Sequence, residues 1–213
     1  MTTTIHAGGR SVWVGALTAI ALWHSPGAPA QELEGRALVE ALRGGGYTIV
    51  MRHARSPREQ PEASVAAPGN ENRERQLDAT GLATAAEMGE ALKLLDIPIG
   101  EVLSSPTFRA MQTAEALDVG DAEPVAELGD GGRDMQPDTR GDYSERLRMR
   151  ASEPTAEGTN RIMITHSPNL AGAFESEAEG MMDGEALVIS PHAGEPVVVA
   201  RIAIEEWPAL GGF

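Results

Sequence analysis

The chain has no cysteine. That absence excludes disulfides, thiolate metal sites, cysteine nucleophiles and a lipidated N-terminal cysteine together. Lysine is almost missing as well: of 17 basic residues, only Lys93 is a lysine. Set against 32 acids, this leaves a formal charge of −15. Such a surface argues against sequence-independent nucleic-acid binding, which needs clustered cations. It also disfavours docking on an anionic membrane face, and its plain consequence is solubility. Aromatic residues make up only 4% of the 213 residues, yet a hydrophobic content of 41% is enough for a core. The length predicts one domain, with no internal repeat and no linker.

The first 30 residues read as a targeting segment. Arg10 is the only Lys or Arg before position 36, and Ser11 to Trp23 is a mostly apolar run, short for a membrane span. Ser25-Pro26-Gly27 and Ala28-Pro29-Ala30 follow, with small residues at the first and third places of the last tripeptide. This pattern predicts a signal peptide over 1–30, cut after Ala30, and a mature domain over 31–213. The mature protein would be periplasmic or secreted, with no stable membrane anchor. It would keep three histidines: His53, His166 and His192.

Within the mature chain, strand-like and helix-like stretches alternate. Helices are predicted over Glu32–Arg43 (stopped by Gly44-Gly45-Gly46), Thr80–Leu95 with Thr80 as N-cap, Thr107–Leu117, Tyr143–Ala151 and Asn169–Glu179. Strands are predicted over Tyr47–Met51, Glu101–Ser104, Pro124–Leu128 and Arg161–Thr165. Ala186–Ser190 and Pro196–Ile204 would pair antiparallel across His192-Ala193-Gly194-Glu195. Long loops are predicted over Arg55–Arg75 and Gly129–Asp142. This alternation implies an α/β fold, a sandwich with a mostly parallel central sheet, in which ligands bind outside the carboxyl ends of the strands.

Three strands end in chemistry-bearing residues at that edge: Arg52-His53-Ala54, Ser104-Ser105-Pro106-Thr107-Phe108-Arg109 and Thr165-His166-Ser167-Pro168-Asn169-Leu170. Neutral imidazole is a nucleophile, and a neighbouring guanidinium holds an anion against it. Two imidazoles and two guanidiniums without a carboxylate cluster do not describe a metal site. They describe a pocket for a dianion, most simply a phosphoryl group. A Ser-Ser-Pro turn leading into a helix adds free backbone N–H groups. No cofactor and no metal are expected.

Arg52-His53-Ala54 resembles the Arg-His-Gly/Ala hallmark of the histidine phosphatase superfamily, whose fold is the phosphoglycerate mutase-like three-layer α/β/α sandwich. Arg75 to Gly81 is similar to the stretch opening the second helix, and Ser104 to Arg109 with Gln112-Thr113-Ala114 to the second Arg motif. Thr165 to Leu170 is similar to the second His motif, and Gly184 to Val188 to the final strands of small secreted bacterial members of the phosphohistidine phosphatase-like type. The resemblance implies a metal-independent phosphatase with His53 as nucleophile, and with Arg52, Arg109 and His166 holding the phosphoryl oxygens. It implies a carboxylic acid for the leaving group. Glu127 sits near the place expected for it, with Asp130 and Glu185 as alternatives. Arg55, Ser56 and Arg58 would extend the substrate site, while Arg75 braces the loop and Trp207 packs. The expected partner is a small phosphorylated substrate, an exported or envelope-derived monoester. The competing reading is a phosphate-binding protein of the same fold with weakened turnover.

Overall fold

The computed structural model describes residues 32–129, 137–192 and 195–212. Six strands form one sheet: β1 (Thr48–Arg52), β2 (Ile99–Ser104), β3 (Ala122–Pro124), β4 (Asn160–Thr165), β5 (Ala186–His192) and β6 (Glu195–Ile202). Their order is β3-β2-β4-β1-β5-β6. The β1–β4, β2–β4 and β2–β3 pairs are parallel, while β5 is antiparallel to both β1 and β6. Five strands therefore share a direction and β5 alone opposes it.

Helices α1 (Gly35–Gly44), α2 (Ala79–Leu94), α3 (Phe108–Leu117), α4 (Pro137–Ser152) and α5 (Ser167–Phe174) cover the sheet. Ile49, Met51, Ile162, Ile164 and Val188 pack with α1, α2, α3 and a C-terminal 3-10 segment, Ile204–Gly211. Val50, Met163, Leu187 and Ile189 pack on the other face with α4 and α5. Burial on both faces explains why β1 and β4 read as unbroken apolar runs rather than alternating ones. Trp207 is fully buried in the first core, the packing role its sequence suggested.

Buried Asn160 ties three elements together. Its Nδ2 donates to the carbonyl oxygens of Leu42 and Pro98 at 2.7 and 3.0 Å, and its Oδ1 accepts from the N–H of Tyr47 at 3.2 Å. One of the last carbonyls of α1 is satisfied this way. Gly45 ends α1 at φ +73°, where a side chain would also meet the Gly158 carbonyl carbon at 2.5 Å, so the glycine stop is a steric requirement.

The helices α2 and α3 approach closely at Gly89, where an added Cβ would lie 1.8 Å from the carbonyl oxygen of Leu117. Alanine gains about 1 kcal/mol in helix propensity over glycine. A clash with backbone that cannot rotate away costs more, about 3 kcal/mol. Gly89→Ala is therefore expected to lower stability by about 2 kcal/mol, measured as the shift in urea midpoint at constant m-value.

Several sequence-derived boundaries need correction. The N-cap of α2 is Asp78, not Thr80; its carboxylate accepts from the N–H of Gly81 at 2.8 Å. The strand predicted at Pro124–Leu128 is instead β3 ending at Pro124, followed by a 3-10 turn over Ala126–Leu128. Pro124 has no N–H to extend a ladder, and Leu128 turns inward to the second core. The strand β2 begins at Ile99, two residues before the predicted start at Glu101, with an irregularity before Glu101. Residues 130–136 of the second long loop lie outside the described residues, but 137–142 are helical. Pro137 suits a first helical turn, and Gly141 disguises that turn as loop in the sequence. The helix α5 ends at Phe174, where Glu175 takes φ +43° and a 3-10 turn follows. The strand β6 stops at Ile202, before Ile204 turns into the core. The hairpin pairing His192↔Glu195 sits where the turn was expected.

Candidate active site

The three central strands β2, β4 and β1 are neighbours, and each ends at a site residue. The pairing continues one residue past the strands. The N–H of His53 donates to the carbonyl of Thr165 at 3.1 Å, and that of Ser105 donates to Ile164 at 2.9 Å. His53, Ser105 and His166 are thereby brought together at one sheet edge, and all three are buried.

The two imidazoles face each other, with centroids 5.3 Å apart and planes at 60°. Nδ1 of His53 lies 2.8 Å from the carbonyl oxygen of Ala54. A carbonyl can only accept, so Nδ1 carries the ring proton and Nε2 keeps its lone pair. Burial pushes the pKa of His53 down to about 3, against the Ala54 bond; repulsion from His166 when both rings carry a second proton, and from Arg109 and Arg52, lowers it further. His53 is thus neutral over the physiological range with its outward nitrogen unprotonated.

Nδ1 of His166 lies 3.1 Å from Nη2 of Arg109, and a guanidinium can only donate. Nε2 of His166 therefore holds the proton, 2.8 Å from Oγ of Ser105 and 3.3 Å from Oγ1 of Thr107. Arg109 is itself buried in the first turn of α3. The same turn is fixed to β1: Thr113 Oγ1 accepts from the N–H of Ala54 at 3.0 Å and donates to the carbonyl of Arg109 at 2.8 Å. Behind His166, Thr165 Oγ1 donates to Leu128 O at 2.8 Å, and Asn169 Nδ2 donates to Gly129 O at 2.7 Å.

Arg52 points to the neighbouring turn. Its Nη2 pairs with Oδ1 of Asp183 at 2.7 Å, and its Nη1 donates to Met181 O at 3.1 Å. Sequence reading missed Asp183. A single acid in a Met-Asp-Gly turn carries no periodic or motif signal, and only the fold brings it to β1.

A cavity of about 1030 Å³ adjoins this cluster rather than enclosing the histidine pair, and Arg52 is shared by both. Arg55, Ser56, Arg58 and Arg75 line it as well. Arg75 braces the loop, giving Nε to Pro57 O at 2.7 Å and Nη2 to Ser56 O at 2.9 Å. Ser56 is buried, and Arg55 pairs with Asp78 at 3.0 Å. The loop over 55–75 has no helix or strand but is tied by its own side chains. Asn70 Nδ2 donates to Glu74 O and to Gln76 Oε1, which also accepts from the N–H of Ala67.

The structure does not bring Glu127 into this cluster. Its carboxylate accepts from Nη1 of Arg146 at 2.8 Å and lines a separate cavity with Arg146, Leu147 and Arg150. Glu185 lines the larger cavity but accepts from Nε of Arg201 at 2.5 Å. Burial works against its charge. The Arg201 bond, the Met182 N–H and the Arg201 charge outweigh burial and hold it below the usual carboxylate range. An acid so held is poorly suited to give up a proton near neutral pH. Asp130 lies outside the described residues.

No curated protein matches the chain in sequence. Solved structures that share the fold include the following three. The protein histidine phosphatase SixA complexed with tungstate is 20% identical at a TM-score of 0.52, over 74% of this chain and 97% of that one. A SixA from Agrobacterium tumefaciens is 18% identical at 0.52, over 74% and 98%. A phosphoserine phosphatase from Entamoeba histolytica, in complex with phosphoserine, is 12% identical at 0.51, over 75% and 98%. The sequence from 48 to 130, which holds Arg52, His53 and Arg109, matches the histidine phosphatase superfamily (branch 1), and the chain carries it on the fold of those structures.

Proposed function

We propose that the protein is a metal-independent phosphatase that hydrolyses phosphomonoesters through a phosphohistidine on His53. The observation that carries this reading is the tautomer of His53. With Nδ1 bonded to Ala54 O and the ring buried and neutral, Nε2 is the one nucleophilic atom of that ring. Nε2 attacks phosphorus, the P–O ester bond breaks, and the leaving oxygen takes a proton from solvent, which the water of the next step returns. Water then attacks the phosphohistidine and releases inorganic phosphate. Arg52 and Arg109 hold the equatorial oxygens, where charge is spread in the transition state. The Arg109–His166 bond orients both side chains beside the nucleophile, and a bound dianion competes for the donor hydrogens of Arg109. The mechanism does not use Glu127, and Ser56 contributes to the rim of the substrate site. The protein acts in the periplasm or after secretion, on an exported or envelope-derived ester, once residues 1–30 are removed.

The test is turnover of p-nitrophenyl phosphate by protein starting at Gln31. EDTA is expected to leave the rate unchanged. A rate lost to EDTA and restored by a divalent cation would reject the metal-independent mechanism.

Asp183 fixes Arg52 without touching the reacting atoms in this scheme. Asp183→Ala is expected to lower kcat/KM about tenfold, the scale of one close, partly buried ion pair. Asp183→Glu should recover part of that loss. An unchanged kcat/KM in Asp183→Ala would remove Asp183 from the account.

A further inference from the structure

The cavity beside Arg52 gathers four of the 17 basic residues of a chain whose net charge is −15. The loop after β1, the first turns of α2, the turn at 182–185 and residues 203–205 enclose it. Its charges are unevenly matched. Asp183 is held by Arg52 and Glu185 by Arg201. Arg75 spends Nε and Nη2 on neutral carbonyl oxygens. Arg55 meets Asp78 through Nε. Arg58 has no hydrogen-bond or ion-pair partner among the described residues, and Glu205 is the one lining carboxylate without an arginine. Thr80 and Thr84 add hydroxyls from α2.

We propose that this cavity binds a second anionic group of the substrate, carboxylate or phosphate, on the leaving-group side of the scissile ester, with Arg58 and Arg55 as its cations. The proposal rests on the phosphatase reading, because Arg52, next to the nucleophile, also lines the cavity. Guanidinium forks match carboxylate and phosphate geometry. The volume suits a small molecule. The acidic surface elsewhere repels extended polyanions, so a compact ester with a second anionic group fits better than a nucleic acid.

The test compares phenyl phosphate, 3-carboxyphenyl phosphate and 1,3-phenylene bisphosphate on the wild-type chain, Arg58→Gln and Arg43→Gln. Arg43 lines a different cavity and controls for loss of one positive charge. The wild type should favour an ester with a second anionic group by about tenfold in kcat/KM over phenyl phosphate. Arg58→Gln should lose most of that preference, and Arg43→Gln should keep it. Whichever ester with a second anionic group is favoured tells carboxylate from phosphate. No preference in the wild type, or one that survives in Arg58→Gln, overturns the subsite and leaves the phosphatase reading intact. If none of the three esters turns over, the phosphatase reading fails, and calorimetric Kd values for the same ligands decide the subsite by the same ratio.

Discussion

His53→Ala is expected to reduce turnover of p-nitrophenyl phosphate by about four orders of magnitude or more, since it deletes the atom to which the phosphoryl group is transferred. Arg52 and Arg109 remain in that variant, so vanadate should still bind, more weakly than to the wild type. The two readouts separate the competing functions. A phosphate-binding protein with no turnover would bind vanadate in both forms and hydrolyse nothing in either. An envelope adaptor working through its acidic surface would be indifferent to the substitution. Residual activity above a few per cent would move the nucleophile elsewhere.

The second large effect is on stability. His53 is neutral in the folded protein, with a pKa of about 3, whereas an unfolded histidine titrates near 6.5. Between these values the unfolded chain binds a proton that the folded chain refuses. Its contribution to stability is therefore fully present above pH 6.5 and is lost as pH falls toward 3. The slope is about 1.4 kcal/mol per pH unit, so lowering the pH from 6.5 to 4.5 costs roughly 2–3 kcal/mol through this one group. Urea denaturation at both pH values should show that loss in the wild type and its absence in His53→Gln, the remaining groups contributing equally to both. Equal losses in the two proteins would mean that the ring is not held neutral by burial. The same shift keeps Nε2 unprotonated at pH 5. Once the substrate's own ionisation near pH 6 is corrected for, His53 should not impose an acid limb on kcat/KM near its ordinary pKa.

The sequence made the sheet legible because β1 and β4 are buried on both faces and end abruptly at histidines. The meeting of His53, Ser105, Arg109 and His166 followed from one rule, that parallel strands offer their carboxyl ends to ligands. What could not be read were features set by single contacts. The Asp78 cap outcompetes Thr80 because a carboxylate two positions earlier reaches Gly81, which spacing alone does not reveal. The alternating stretch Val125-Ala126-Glu127-Leu128 fits a strand by composition, yet Pro124 ends the ladder and Leu128 is needed in the core. Glu127 lies at a plausible distance along the chain, but its carboxylate is directed to Arg146 on α4, a long-range pairing with no local trace. Asp183, which fixes Arg52, comes from a turn 131 positions away.

The most direct measurement is rapid quenching of the enzyme with a 32P-labelled ester, followed by peptide mapping. A phosphohistidine on His53 predicts label on the peptide carrying that residue, stable in alkali and lost in acid, and absent from His53→Ala. Turnover without any labelled enzyme under single-turnover conditions, or acid-stable label on a serine or carboxylate, would contradict it.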